Sequence, residues 1–246
     1  MNVLTFNLRN ITDRYDERKP LLAAGFAELS PDVAGLQEVS FVPGGRQDDL
    51  LAGATSRQYV SLEAASPRFV NFGNAILVAA GEVQAHEILA LSLGRVAQRA
   101  LIALPRQRML WVVNTHLHHR PAEPLVRESQ ARAICEWMAE APAADATVIA
   151  GDFNTPPFEP AYAVMTAAGY RSAFREANGE EPAVTWPSGI QAPTMDTDGD
   201  PSCLDYLWLG SSARARNARL VFNDHAPGDA THFPSDHFGI LAEIDI

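Results

Sequence analysis

Two polar side chains able to bind a metal or position a water follow a short strand pattern at residues 147–155. The run Val148–Ala150 is apolar and β-branched, which favours a buried strand, and Gly151 interrupts it. Asp152 and Asn154 come next, and positions two apart on an extended chain point to the same side. A carboxylate beside an amide suits a hard cation such as Mg²⁺, or a bound water. An Asx turn at a strand end explains the pair equally well, so these residues alone leave both interpretations open.

Other apolar runs along the chain also end in, or contain, a residue that can bind a metal or move a proton. Most of these residues offer oxygen ligands, and the histidines titrate near neutral pH. If the strand ends converge, they form one oxygen-rich pocket that contains two imidazoles. The set comprises Asn7, Glu38, His116, Asp152, Asn154, Asp205, Asp236 and His237.

Each of these residues also has a structural explanation when it is taken alone. Glu38 fits a solvated residue after a strand, and His237 fits a turn cap. Asp205 is harder to explain in this way, because it lies between apolar residues of a strand pattern and an unpaired buried carboxylate is costly.

Strand and helix patterns alternate along the chain and would position this set. We predict helices over 20–29, 47–54, 124–141 and 160–168, and strands over 3–8, 33–36, 59–62, 74–79, 87–93, 100–104, 109–115, 148–150, 204–209, 218–222 and 239–246. Pro105–Arg108 is predicted to be a turn between neighbouring strands, which requires antiparallel pairing. Residues 178–202 are predicted to form a long surface loop, and loops of that length are often functional. The patterns predict one α/β domain over 1–246, with two mixed sheets packed together and helices outside.

Composition narrows the class of partner. The 246 residues carry a net charge of −11, and no Lys/Arg cluster of the kind that grips long nucleic acid is present. The charge does not exclude an enzyme that touches one phosphate, because a bound divalent metal supplies positive charge. Met1 leads directly into a strand pattern and no apolar run reaches membrane-spanning length, so we expect a cytoplasmic protein with no membrane span. The oligomeric state stays open.

Six short motifs, in order, resemble those of the endonuclease/exonuclease/phosphatase superfamily. The likeness extends from Asn2 to Ile244. It implies a deoxyribonuclease-like four-layer sandwich, in which two mixed β-sheets are flanked by helices and the site lies at one edge of the central sheets. The motifs are Thr5-Phe6-Asn7, Leu36-Gln37-Glu38-Val39, Asn114-Thr115-His116-Leu117, Gly151-Asp152-Phe153-Asn154, Leu204-Asp205-Tyr206 and Ser235-Asp236-His237.

The resemblance implies a role for each residue. Glu38 is expected to be the main metal ligand, with Asn7 completing the shell, and Asp236 either binds a second metal or braces the site. His237 is expected to act as the general base or to carry the proton, and Asp205 is expected to fix the tautomer of its ring. The remaining three are expected to act on water and phosphate: Asp152 orients or deprotonates the attacking water, Asn154 holds phosphate or water, and His116 contacts the phosphate or protonates the leaving group.

Three further residues are candidates for substrate contact or support. His116, His118 and His119 together suggest zinc, but the surrounding oxygen ligands favour Mg²⁺ or Mn²⁺. Many bacterial members that the chain resembles carry Asp where His118 stands, which puts the leaving-group preference in question. Asn74 either braces the site or belongs to a turn. Cys203 stands where relatives often have Arg or Lys, which removes an expected cation near the phosphate.

We therefore expect an Mg²⁺- or Mn²⁺-dependent enzyme that hydrolyses a phosphodiester or phosphomonoester by direct attack of water. A small or lipid-derived phosphate is favoured as substrate over nucleic acid. The alternatives are a DNA endonuclease or exonuclease of the same fold and a non-catalytic scaffold member. The scaffold alternative predicts loss of Glu38, Asp152 or His237, and all three are present.

Overall fold

The computed structural model describes residues 1–195 and 198–246 of the chain. The strands are β1 (Asn2–Asn7), β2 (Val33–Ser40), β3 (Val60–Ala65), β4 (Phe72–Val78), β5 (Glu82–Ala90), β6 (Val96–Leu104), β7 (Arg108–His116), β8 (Ala146–Asp152), β9 (Arg171–Ser172), β10 (Asp205–Ser211), β11 (Arg214–Val221) and β12 (Gly239–Asp245). The α-helices are α1 (Tyr15–Leu29), α2 (Gln47–Gly53), α3 (Pro124–Ala139), α4 (Pro160–Ala167) and α5 (Ala173–Asn178).

The strands form two mixed six-stranded sheets. The first sheet has the order β11-β12-β1-β2-β4-β3, and the second has the order β5-β6-β7-β8-β10-β9. The central pairs β1/β2 and β7/β8 are parallel, and the other pairs are antiparallel. Each parallel pair therefore has two carboxyl ends at the same edge of its sheet, where the side chains of a site can lie.

Alternation along the strands explains the layers. In β1, Val3 packs between the two sheets, whereas the next residue, Leu4, faces the opposite side and contacts the cluster that contains Leu22 and Phe26 of α1. The second sheet does the same, since Val112 joins the inter-sheet core and Trp111 packs with residues of α3 and α4. Helices thus cover the outer face of each sheet, as the predicted fold class requires.

A buried polar network also joins the two sheets. Asn114 of β7 donates to the carbonyls of Leu36 and Ala75 in the first sheet, both at 2.9 Å. Its carbonyl accepts from Gln37 Nε2 at 2.7 Å. Gly35 lies at this contact, where an added Cβ would come within 2.6 Å of the Cβ of Ala150. The close approach of the sheets fixes their strand ends relative to one another.

Several element boundaries differ from the predictions. Helix α1 begins at Tyr15 rather than at Pro20, because Arg18 has a large apolar stem and a buried head and so belongs to the packed face. Strand β5 ends at Ala90, because Leu93 has a positive φ of 58° in the turn that follows. The short elements β9 and α5 were not predicted.

The long loop at 178–202 is not confined to the surface. Thr185, Trp186, Ser188 and Ile190 are buried, and Trp186 pairs with Ser202 as an isolated β-bridge. The predicted loop includes Asp196 and Thr197, which lie outside the described residues. The first half of the loop therefore packs against the body of the protein.

Candidate active site

The predicted site residues converge at one edge of the paired sheets. Asn7, His116 and Asp152 lie at the carboxyl ends of β1, β7 and β8. Asp205 begins β10 and lies directly opposite Asp152 in the antiparallel register. Of these, His116 and Asp152 line an open pocket of about 580 Å³, together with Glu38, Asn74, His119, Asn154, Asp236 and His237. The residues that the sequence predicts for the site therefore lie together at one edge, at the ends of strands or, for Glu38, within β2.

A chain of buried polar groups crosses the floor of the pocket. His237 Nδ1 donates to Asp205 Oδ2 at 2.9 Å, and His237 Nε2 lies 3.6 Å from Asp152 Oδ2. His116 Nε2 lies 3.4 Å from the same oxygen, Asp152 Oδ2. Asn7 Nδ2 donates to that oxygen at 2.9 Å. Asp152 is therefore held between two imidazoles, with one face supported by an amide.

Burial and neighbouring charge set the protonation of these groups. Burial, together with the charge of Asp205, raises the pKa of the Asp152 carboxyl. Burial by itself lowers the pKa of His237, but the carboxylates of Asp205, Asp152 and Asp236 outweigh it and raise that pKa. For His116 burial dominates, and its pKa lies well below the usual value. At neutral pH the His237 ring is therefore charged and the His116 ring is neutral.

We predict that the charge on His237 depends on Asp205. In the metal-free protein the His237 ring stays protonated above pH 7, because its pKa is raised, and Asp205→Asn lowers its titration midpoint by removing one of the raising charges. Imidazole ¹⁵N chemical shifts followed against pH measure this. The ring of His86, which lies on β5 and bonds Gln98, serves as an internal reference. An unshifted His237 midpoint in the variant would contradict the assignment.

A bulge in β2 positions Glu38. Pairing of β2 with β4 shifts register between Leu36 and Val39, and Glu38 has a positive φ of 52°, which is uncommon for a residue with a Cβ. Among the described residues its carboxylate forms no ion pair, and it accepts a hydrogen bond from Asn10 Nδ2 at 3.2 Å. Burial and the charge of Asp236 raise the pKa of Glu38. Backbone strain is thus maintained at a position that points an incompletely paired carboxylate into the pocket.

Asp236 has strong partners of its own. Arg9 Nη1 donates to Asp236 Oδ2 at 2.6 Å, and Trp186 Nε1 donates to the same oxygen at 3.3 Å. Arg9 in turn bonds Asp13, whose carboxylate also accepts from Thr194 Oγ1 at 2.6 Å. Of the two predicted roles for Asp236, this pairing favours bracing the site over binding a second metal.

The supporting candidates have distinct contacts. Asn74 Nδ2 donates to the carbonyl of Val96 at 3.3 Å and so ties the two sheets beside the pocket. His118 is buried, with Nε2 2.9 Å from Glu123 Oε2, and it is not among the pocket-lining residues. His119 lines the pocket and accepts from Arg95 Nη2 at 3.1 Å.

Asn154 does not simply continue the strand beside Asp152. Its φ is 48°, its backbone N–H donates to Asp152 Oδ1 at 2.9 Å, and its side chain donates to the carbonyl of Leu117 at 3.3 Å. The predicted Asx turn is therefore present, and Asn154 is among the pocket-lining residues.

Arg9, Arg95 and Trp186 also line the pocket and were not identified as site residues from the sequence. Arg95 forms no ion pair within the described part of the chain, and burial lowers its pKa, opposed by the charges of Glu38 and Asp152. It supplies a cation to the pocket, whereas Cys203 is buried in the core cluster that contains Tyr206 and is not among the pocket-lining residues. Arg9 lies two residues after Asn7, which is a usable sequence signal, whereas Trp186 has no local signal.

The donor set fits a divalent cation in the pocket. Glu38 is a half-buried carboxylate beside a second carboxylate, and Asp205 Oδ1 is a buried oxygen without a hydrogen-bond partner in the described chain. The most compact group of potential ligands differs from the predicted set and consists of Asp152, Asp205 and His237, whose ligand atoms lie within 4.8 Å of one another. Its members already bond each other through the His237 ring, which suits proton transfer better than a metal cage.

The fold and the site define a class of phosphoester hydrolase. The model of the Endonuclease/Exonuclease/phosphatase family matches residues 4–237, and the chain belongs to this family. Its members are metal-dependent phosphoesterases, and the chain is an enzyme of that class. No curated protein sequence matches the chain significantly.

Solved structures with the same fold are distant in sequence. D. rerio TDP2 complexed with single-strand DNA product has a TM-score of 0.80 at 18% identity, covering 100% of this chain and 99% of that chain. The human Nocturnin catalytic domain with bound sulfate scores 0.79 at 20% identity, covering 100% and 93%. A Bacteroides vulgatus endonuclease/exonuclease/phosphatase scores 0.79 at 18% identity, covering 100% and 98%. These likenesses confirm the deoxyribonuclease-like fold. Within the described residues, no helix is long and apolar enough to cross a membrane.

Proposed function

We propose that the protein hydrolyses a small or lipid-derived phosphate ester by direct attack of water, with Mg²⁺ or Mn²⁺ bound. The observation that carries this proposal is the Asp152 carboxylate, which lies between the rings of His116 and His237 with Asp205 behind the second ring. Such a group can hold a water in one orientation and accept its proton. The bound metal supplies positive charge that stabilises the charge developing on the phosphate.

Each side chain has a task that follows from its surroundings. Asp152 orients the water and accepts its proton, and the charged His237 ring lies beside the same carboxylate, with Nε2 3.6 Å from Oδ2. Asp205 fixes the His237 ring through Nδ1. His116 is uncharged at neutral pH and donates a hydrogen bond to a phosphate oxygen or to the leaving group.

Two further groups hold the phosphate. Arg95 carries a positive charge into the pocket without an ion pair in the described chain, and guanidinium groups match phosphate oxygens in geometry. Asn154 lies across the pocket and contributes an amide beside the attacking water.

We assign the metal to Glu38, with Asn7 beside it. Glu38→Gln is expected to weaken Mn²⁺ binding at least tenfold, because a carboxylate is a far better ligand for a hard cation than an amide is. Isothermal titration and the rise in Tm with added Mn²⁺ measure the affinity without turnover. Glu181→Gln is the matched control, since Glu181 is also half-buried but bonds Tyr162 and Ser172 instead.

A parallel titration of Asp205→Asn separates the two possible metal positions. If the metal binds at Glu38, this variant retains most of its affinity. If affinity falls in Asp205→Asn and not in Glu38→Gln, the group of Asp152, Asp205 and His237 is the metal site and our assignment is wrong.

The substrate preference rests on charge. A chain with a net charge of −11 repels a long polyanion, so a compact phosphate ester is favoured over duplex DNA. The likeness to TDP2 bound to a single-strand DNA product supports a DNA endonuclease or exonuclease as the second candidate. A scaffold role is third, because each of the proposed catalytic side chains is present.

A panel of substrates with and without Mn²⁺ tests the proposal. It contains bis-p-nitrophenyl phosphate, p-nitrophenyl phosphate, a phospholipid head-group diester, a single-stranded oligonucleotide and plasmid DNA. Metal-dependent turnover of the small esters supports the proposed function. Turnover of only the oligonucleotide or the plasmid supports the nuclease alternative instead. Metal binding with no turnover of any member argues against all three small-ester substrates.

A further inference from the structure

Part of the lining of the proposed catalytic pocket is apolar and open to solvent. Five side chains form it, and we call them the apolar wall: Ile11, Val42, Phe69, Val70 and Leu93. Their exposures are 44%, 38%, 54%, 88% and 49%. They come from four separate segments of the chain, namely the loops after β1 and β2, the β3–β4 loop and the β5–β6 turn.

This clustering calls for an explanation beyond ordinary surface composition. Scattered exposed apolar residues are normal on soluble proteins. Among the described residues, however, nine large hydrophobic side chains are exposed, and five of the nine line this single pocket. A contiguous apolar patch beside a few convergent polar groups is typical of a ligand site.

Contacts between its segments hold part of the wall in place. Ser66 Oγ donates to the carbonyl of Gly94 at 3.1 Å, which ties the β3–β4 loop to the β5–β6 turn. Phe69 packs edge-on against Phe72, with ring centroids 5.9 Å apart. At the other end of the loop, Phe41 N–H donates to the carbonyl of Asn71 at 2.8 Å. The loop is therefore anchored at both ends, and its apolar side chains remain uncovered.

The apolar wall is also adjacent in sequence to Arg95, the side chain that we propose binds the phosphate. Leu93 and Arg95 are separated only by Gly94, whose φ of 74° turns the chain, and both side chains line the pocket. A ligand whose phosphate lies at Arg95 would thus have its attached group beside Leu93 and Phe69. The arrangement suits a molecule in which an apolar group is bonded to the phosphate.

We propose that the substrate carries an alkyl or aryl group next to its phosphate and that this group lies on the apolar wall during the reaction. The inference rests on the proposed function, because it places the phosphate among Arg95, Asp152 and His116. The class of substrate is an amphiphilic phosphate ester, which is either a soluble ester or a lipid.

Binding of a homologous series tests the inference without turnover. The probes are n-alkyl phosphonic acids from methyl to octyl, below their micelle concentrations and with saturating Mn²⁺, measured by isothermal titration. We expect the Kd of the wild-type protein to fall about two- to fourfold per added CH₂ while the chain covers the wall. A double Phe69→Ser, Val70→Ser variant flattens this dependence and leaves methylphosphonate binding unchanged.

Matched controls separate the wall from general surface effects. Val60 and Ile88 are exposed to 52% and 51% but are not among the pocket-lining residues, so Val60→Ser, Ile88→Ser retains the wild-type dependence. A flat dependence in the wild-type protein, or no binding of any member, overturns the inference. The substrate panel reports on the proposed function separately, since it measures metal-dependent turnover, whereas the phosphonate series measures how binding depends on chain length.

Sedimentation with phosphatidylcholine vesicles distinguishes the two sources of such a substrate. Vesicle binding that the Phe69→Ser, Val70→Ser variant loses, together with the chain-length dependence, indicates a lipid. Chain-length dependence without vesicle binding indicates a soluble ester, and both results support the proposal. Vesicle binding without chain-length dependence overturns it, because the wall then contacts a surface rather than the substrate.

Discussion

Asp152→Asn is expected to lower kcat by about 10³-fold or more while the protein stays folded. The carboxylate is the point where the polar groups of the pocket meet, since Oδ2 accepts from Asn7 and faces the rings of both His116 and His237. An amide of the same shape removes the proton acceptor. Its NH₂ group would also face the Asn7 amide or the protonated His237 ring, which forces the side chain out of its present orientation.

Single-turnover kinetics with a p-nitrophenyl ester and saturating Mn²⁺ measure the chemical step. Asp48→Asn is the matched control, because Asp48 is also a fully buried carboxylate, but it pairs with Arg46 and Ser61. The control is expected to lower Tm with little effect on kcat. If Asp152→Asn retains more than a tenth of the wild-type kcat, Asp152 does not take part in proton transfer.

The strand ends could be predicted from the sequence because their signal is local. An apolar run followed by Asn7, His116 or Asp152 specifies both a buried strand and the side chain at its end. Parallel pairing then brings such ends together without further information. The two mixed sheets and their outer helices follow from the same alternation, which the fold confirms.

Residues that act through distant partners could not be predicted in this way. The pairing of Arg9 with Asp236 joins positions 227 residues apart, and nothing near either residue specifies it. Arg95 looked like one basic residue among several until its turn placed it in the pocket. The apolar wall combines four segments, so no single window of the sequence contains it. The catalytic roles, the choice of metal, the single-domain organisation and the cytoplasmic location stay predictions.

Helix α1, which begins at Tyr15, contains another residue, Arg18, whose role depends on tertiary contacts. Arg18 is fully buried and forms no ion pair in the described chain. Burial lowers the pKa of its guanidinium to about 10, so the side chain remains charged at neutral pH. Its guanidinium instead donates to six backbone carbonyls, at distances between 2.7 and 3.1 Å: those of Leu8, Arg9, Asn10, Thr12, Asp13 and Pro234. The side chain thus ties the loop after β1, which carries Arg9, to the segment that leads into Asp236 and His237.

Arg18→Met is therefore expected to cost about 4 kcal/mol in the free energy of unfolding, because several buried carbonyls lose their donor together. Arg18→Lys, with three donors, is expected to recover part of this. Urea denaturation measures this loss of stability. At a temperature where each variant is folded, kcat is expected to be lowest in Arg18→Met and intermediate in Arg18→Lys, because the loop after β1 and the His237 segment are no longer joined through Arg18.

Arg57→Met is the control. Arg57 also bonds a carbonyl and a carboxylate, but its side chain is 32% exposed, so the expected cost in the free energy of unfolding is below about 1 kcal/mol. A normal kcat in folded Arg18→Met would show that Arg18 stabilises the fold without positioning the site.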